Sequence, residues 1–211
     1  MPINSRLLRA WLFLGFACCV DRVGAADDKT VIFFGDSLTA GYGLEEPATE
    51  AFPALIQNKI TAAHLPWRVV NAGLSGETTA GGLRRVDWIL RQPVDVFVLA
   101  LGGNDGLRGI DPAVSRANLQ GIIDRVRAKN PSAKIILAGM MMPANMGEDY
   151  VRAFHDLYPA LAEKNGVALV PFLLEGVGGN PGLNQRDGIH PNVRGHAIVA
   201  ENVWKVLHLL L

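Results

Sequence analysis

The chain has 211 residues, of which 49% are hydrophobic and 19% charged, with equal numbers of basic and acidic side chains. That length suits a single domain with a sizeable core. A formal charge of zero supplies neither a basic field for nucleic acid nor an acidic tail, so no nucleic-acid partner is expected.

The first 25 residues differ in kind from the rest. Arg6 and Arg9 precede an apolar run from Ala10 to Val20, and Val23-Gly24-Ala25 follows with small residues before a cleavage point. This is the order of a secretory signal peptide, too short in its apolar part to span a bilayer. The expectation is a signal peptide over 1–25, cleavage near Ala25, and a single domain over 26–211. That domain would be periplasmic or secreted, with no stable membrane insertion. The rival is an anchor that is kept. Cys18 and Cys19 are the two cysteines of the chain. Both fall in this segment, so the mature domain is expected to hold no thiol, disulfide or Cys-based metal site.

Beyond it, apolar runs and helical periods alternate. Residues 31–34, Val-Ile-Phe-Phe, read as a buried strand. The spacing of Phe52, Leu55, Ile56 and Ile60 predicts a helix over 51–64. Residues 67–71 form a second strand, and 78–91 a helix with Leu83, Val86, Ile89 and Leu90 on one side. Residues 94–101 are a third strand, apolar except for Asp95. Asp111-Pro112 starts a helix, proline being suited to the first turn, and it ends near Asn130-Pro131. Residues 134–138 are strand four. A helix carrying Val151, Phe154, Leu157 and Leu161 follows, with Pro159 expected to kink or interrupt it. Residues 167–170 are strand five, and a last helix runs from near Pro191 to the end of the chain. Such alternation predicts an α/β fold: a three-layer α/β/α sandwich around a five-stranded parallel sheet of flavodoxin-like order 2-1-3-4-5.

Ligands in such sheets bind beyond the carboxyl ends of the strands, and four loops there carry polar and glycine residues. They are Gly35-Asp36-Ser37-Leu38, "NAGLSGETT" (71–79), "GGNDG" (102–106) and "DGIHPN" (187–192). Each alone has a plain explanation: Ser37 could cap a helix, Asn104-Asp105-Gly106 suits a turn, and His190 precedes a proline. Gly-x-Ser-x-Gly, the mark of a nucleophile elbow, is absent. Together the loops supply the parts of an acyl-transfer site. At a spacing of three, Asp187 could accept the Nδ1–H of His190, leaving Nε2 to take a proton from Ser37. The side-chain amide of Asn104 and the backbone N–H groups of Gly76 and Ser37 could form an oxyanion hole. Gly73, in the same loop, is the alternative to Gly76.

These blocks, in this order, resemble the SGNH (GDSL) hydrolase family, within it the secreted bacterial thioesterase I, lysophospholipase L1 and arylesterase group. The resemblance implies Ser37 as nucleophile, His190 as base, Asp187 as its orienter, and Ser37, Gly76 and Asn104 as oxyanion donors. It implies no metal and no cofactor, and a small acyl ester, thioester or lysophospholipid as substrate for a monomeric enzyme. Leu107, Ile110, Met142 and Pro143 are candidates for an apolar acyl groove, with Met140 and Met141 open between groove and core. Three rivals remain: a carbohydrate O-acetylesterase with the same triad, a non-catalytic binding protein that keeps the fold, and a cation held by Asp36, Asp105 and Asp187.

Overall fold

The computed structural model describes residues 29–211, so the expected signal peptide lies outside the described residues. Five parallel strands form one sheet in the order β2-β1-β3-β4-β5. They are β1 (Lys29–Gly35), β2 (Trp67–Gly73), β3 (Val96–Ala100), β4 (Lys134–Ala138) and β5 (Ala168–Val170). The central strand β3 is apolar and buried along its length, and β1 is buried from Thr30 onward and apolar from Val31, because helices cover both faces. Phe33, Phe34 and Phe97 are fully buried there, each contributing roughly 1.5–3 kcal/mol of hydrophobic stabilisation.

The eight helices among the described residues are α1 (Ser37–Ala40), α2 (Pro47–Glu50), α3 (Phe52–Ala62), α4 (Thr79–Ile89), α5 (Gly103–Leu107), α6 (Pro112–Lys129), α7 (Glu148–Asn165) and α8 (Val193–Leu207), with a 3₁₀ turn at Ala144–Met146. The step from β1 to β2 runs across the sheet opposite to the later steps. Right-handed crossovers therefore put α3 on one face and α4, α6 and α7 on the other. The packing follows: α3 lies against α8, and α4, α6 and α7 lie in succession. The expected long helices and five strands are all present, with ends shifted by a few residues. The terminal helix starts at Val193, after the Asn192 cap, and stops at Leu207 rather than at the chain end.

Of the two effects expected of Pro159, a kink or an interruption, the interruption does not occur. The proline sits inside α7, which continues from Glu148 to Asn165. Loss of its N–H costs a hydrogen bond. Phe154, Leu157, Tyr158 and Leu161 bury their side chains before and after it, which outweighs that loss.

Strand register sets the site. Gly35 pairs with Gly73 on one side and with Ala100 on the other. The first three strands therefore end level, and the chain leaving each of them emerges at one edge. α1 and α5 are too short for periodicity to reveal, yet they begin there.

Candidate active site

Four segments converge on that edge. At the end of β1 the carboxylate of Asp36 accepts the N–H of Leu38 at 3.0 Å and so caps α1. The helix cap is thus Asp36, and Ser37 occupies the first helical position with its side chain at the site. In the loop before α8, Asp187 Oδ1 accepts the backbone N–H of Ile189 at 2.9 Å and of His190 at 3.0 Å. Its Oδ2 lies 2.7 Å from His190 Nδ1, and His190 Nε2 lies 2.8 Å from Ser37 Oγ. With Nδ1–H donated to the carboxylate, Nε2 presents a lone pair toward the hydroxyl. Gln185 braces this loop: its N–H donates to the His190 carbonyl at 2.7 Å and its side-chain amide to the Tyr42 carbonyl at 2.6 Å.

Asn104 opens α5. Its amide nitrogen donates to the Glu77 carbonyl at 3.1 Å and lies 3.4 Å from Asp36 Oδ2. Gly76 stands in the loop after β2 at φ +78°, a conformation suited to glycine, and its carbonyl accepts from Arg108 at 3.1 Å. The N–H groups of Ser37 and Gly76 have no protein partner among the described residues. Gly73 instead ends β2 hard against the backbone of Ala40, where even a Cβ would come within 2.3 Å.

The electrostatics of the two carboxylates differ. Burial raises Asp36 to about 6, against the lowering effect of the Leu38 N–H, the His190 charge and Asn104. At Asp187 partial desolvation raises the value, but the hydrogen bonds from His190 and Ile189 prevail and bring it down to about 2. Asp105 faces away from both. It is buried and accepts from the Thr79 N–H at 2.8 Å and the Ser115 hydroxyl at 3.1 Å, tying α4 and α6 to α5. Among the described residues no three His, Cys, Asp or Glu side chains gather as a metal set.

A groove of about 530 Å³ opens beside Ser37 and His190. Leu107, Met142 and Pro143 line it as expected, with Met140 and Met141. Gly106 makes room for Met142, whose sulfur would lie 1.9 Å from a Cβ at that position. Ile110 does not line it: α5 has ended, and the Ile110 carbonyl accepts from the Tyr150 hydroxyl at 2.8 Å, outside the groove wall. Phe172, Leu174 and Ile189 also line it, and none of them is among the residues expected from the sequence. The apolar run 172–174 after strand five and the position of Ile189 between Asp187 and His190 were the available signals. Tyr42 was missed too; its ring packs against His190 at 4.7 Å between centroids.

The sequence profile described as "GDSL-like Lipase/Acylhydrolase family" matches residues 33–198. The chain is 41% identical over 205 residues to "Esterase TesA" of Pseudomonas aeruginosa, covering 97% of this chain and all of that one. It is 40% identical over 204 residues to "Thioesterase 1/protease 1/lysophospholipase L1" of Escherichia coli strain K12, covering 94% and 92% respectively. A crystal structure of TesA superposes with a TM-score of 0.82 at 42% identity, over 87% of this chain and 100% of the other. The chain belongs to the GDSL-like lipase/acylhydrolase family and is a serine hydrolase that acts on ester bonds.

Proposed function

We propose that Ser37 is the nucleophile, His190 the general base and acid, and Asp187 the residue that holds the imidazole in the required tautomer. Substrates are carboxylic esters and thioesters with medium or long acyl chains, aryl esters and lysophospholipids among them. Ser37 Oγ attacks the acyl carbonyl carbon as its proton passes to His190 Nε2. The negative charge that forms on the carbonyl oxygen meets the N–H groups of Ser37 and Gly76 and the amide of Asn104. One amide hydrogen of Asn104 is held by the Glu77 carbonyl, and the other rests at long range on Asp36. The second is the one offered to the oxyanion. Collapse expels the alcohol or thiol, which takes the proton from His190, and water repeats the cycle on the acyl-enzyme.

The observation that carries this reading is the chain of contacts at 2.8 and 2.7 Å from Ser37 through His190 to Asp187, at the mouth of a groove lined by Leu107, Met142, Pro143, Phe172 and Leu174. That lining favours acyl chains over acetyl groups on sugars. The wider reading is a monomeric enzyme, exported after cleavage near Ala25 on the strength of its N-terminal sequence. A fluorophosphonate probe should add covalently to Ser37 and not to the Ser37→Ala protein. Rates on oxygen esters and thioesters should rise from acetyl toward longer chains. Activity confined to acetyl esters would favour the O-acetylesterase, and an unlabelled serine would favour a binding protein.

A further inference from the structure

We propose that Arg84 and Arg108 form a cationic subsite for a phosphate group carried on the leaving-group side of the substrate; this rests on the assignment of Ser37 as nucleophile. An open depression of about 500 Å³ lies along the loop after β2, lined by Gly76, Glu77, Thr78, Arg84, Arg85 and Arg108 among others. Its charges are three arginines and one carboxylate. Arg85 and Glu77 neutralise each other: Arg85 Nε donates to Glu77 at 2.8 Å, a second nitrogen pairs with the same carboxylate, and that nitrogen also reaches the Ala72 carbonyl at 3.0 Å. Arg108 gives one N–H to the Gly76 carbonyl and is otherwise exposed. Arg84 is exposed and makes no hydrogen bond or ion pair among the described residues. Two guanidinium groups therefore face solvent without a counter-charge.

Their position relative to the groove supplies the reason. Asn104 lines the acyl groove and donates to the Glu77 carbonyl, while Glu77 lines the depression. Leu107 belongs to the groove and Arg108, the next residue, to the depression. One wall thus separates the two, and the loop carrying Gly76 runs along it. With the acyl chain in the groove, the alcohol or thiol half of the substrate must leave on another side. α4 opens at the same depression, adding the positive end of its dipole. Guanidinium groups bind phosphate oxygens in forked pairs. A phosphate there belongs to one of two sources, a phosphorylated thiol carrier or the head group of a lysophospholipid.

The test compares matched substrates with one acyl chain. Decanoyl-4′-phosphopantetheine is set against decanoyl-pantetheine, and a decanoyl lysophosphatidic acid against monodecanoylglycerol. For each pair the ratio of kcat/KM, phosphorylated over neutral, is measured in the parent, in Arg84→Gln and in the Arg84→Gln/Arg108→Gln double variant. Arg84→Gln should lower the ratio about three- to tenfold, through KM, in at least one pair. The double variant should lower it further, and added salt should erode the parent's ratio. The pair that responds identifies the source of the phosphate. Ratios that stay within about twofold in both pairs overturn the subsite. Arg108 also braces Gly76, so a fall in kcat common to all four substrates cancels in the ratio. Failure of the Ser37 assignment would show separately, as persistent turnover in Ser37→Ala.

Discussion

The turn after β1 and the loop before α8 meet at one imidazole, yet they are built in opposite ways. Asp36 and Ser37 are buried at the end of a strand paired in register with β2 and β3. Asp187 is partly exposed, on a loop held by its own carboxylate, by Gln185 and by a single β-bridge between Asn184 and Pro191. The two carboxylates diverge accordingly, Asp36 to about 6 and Asp187 to about 2. Burial governs the first and donated N–H groups the second. The rigid turn fixes where the serine stands, and the loop's hydrogen bonds keep a negative charge behind the histidine.

The sharpest test of this contrast is removal of the buried side's reacting group. Ser37→Ala should lower kcat on the order of a million-fold with the fold intact by circular dichroism. Hydrolysis within tenfold of the parent would show that the turn does not carry the reaction. On the loop side, Asp187→Asn keeps the size but loses the charge, so His190 loses its orienting partner. Turnover should fall roughly 10³- to 10⁴-fold in steady-state kinetics. A loss of tenfold or less would mean that Gln185 and Tyr42 suffice to hold the ring.

Between the two regions stands Asn104, braced by Glu77 and Asp36. Asn104→Ala should cost about a hundred- to a thousand-fold, in kcat rather than KM. A change confined to KM would make it a residue that positions substrate.

The smallest effect lies in stability. Burial gives Asp36 a folded-state value of about 6 against an ordinary 3.8. Between those values the folded state holds a proton that the unfolded state has lost, so this group makes stability fall as pH rises. His196 behaves oppositely. Burial first, and then the charge of His190, lower it from 6.5 to about 4. Its Nδ1 accepts the Phe52 N–H at 3.2 Å as a neutral ring, and its contribution is lost as pH falls through that range. Each slope is about 1.4 kcal/mol per pH unit, so the two largely cancel between pH 4 and 6. Single variants should unmask them. The Tm of Asp36→Asn should fall as pH drops from 6.5 to 4, and that of His196→Asn should rise as pH drops from 6 to 4. Parallel trends in the two variants would contradict the opposed burial of these groups.

Much of this architecture is legible along the chain. The apolar runs 31–34, 94–101 and 134–138 declare buried parallel strands because both their faces must be covered. The four polar loops announce the site because together they bring a serine, a histidine, acidic residues and an asparagine to the carboxyl ends of one sheet, the parts that acyl transfer needs. The short helices α1, α2 and α5 are hidden, since a single turn has no period. Ile110 was misplaced by proximity: it follows Leu107 by three residues but lies past the end of α5. Pro159 leaves α7 unbroken because of the core the helix packs into, which local backbone chemistry does not carry.

What the sequence by itself determined is the order of strands and helices, the family, and the residue types for acyl transfer. These follow from local periodicity and from side-chain chemistry that a linear pattern carries. Tertiary structure alone decided that Gly35, Gly73 and Ala100 end level, so that Ser37, Gly76 and Asn104 share an edge. It also decided that Phe172 and Leu174 reach back to the groove, that Arg84 and Arg108 line the same depression, and that Asp36 is buried while Asp187 is not. Each of these is a relation between residues far apart in the chain, set by strand register and crossover handedness, and charge environment in particular depends on what packs around a group rather than on its neighbours in sequence.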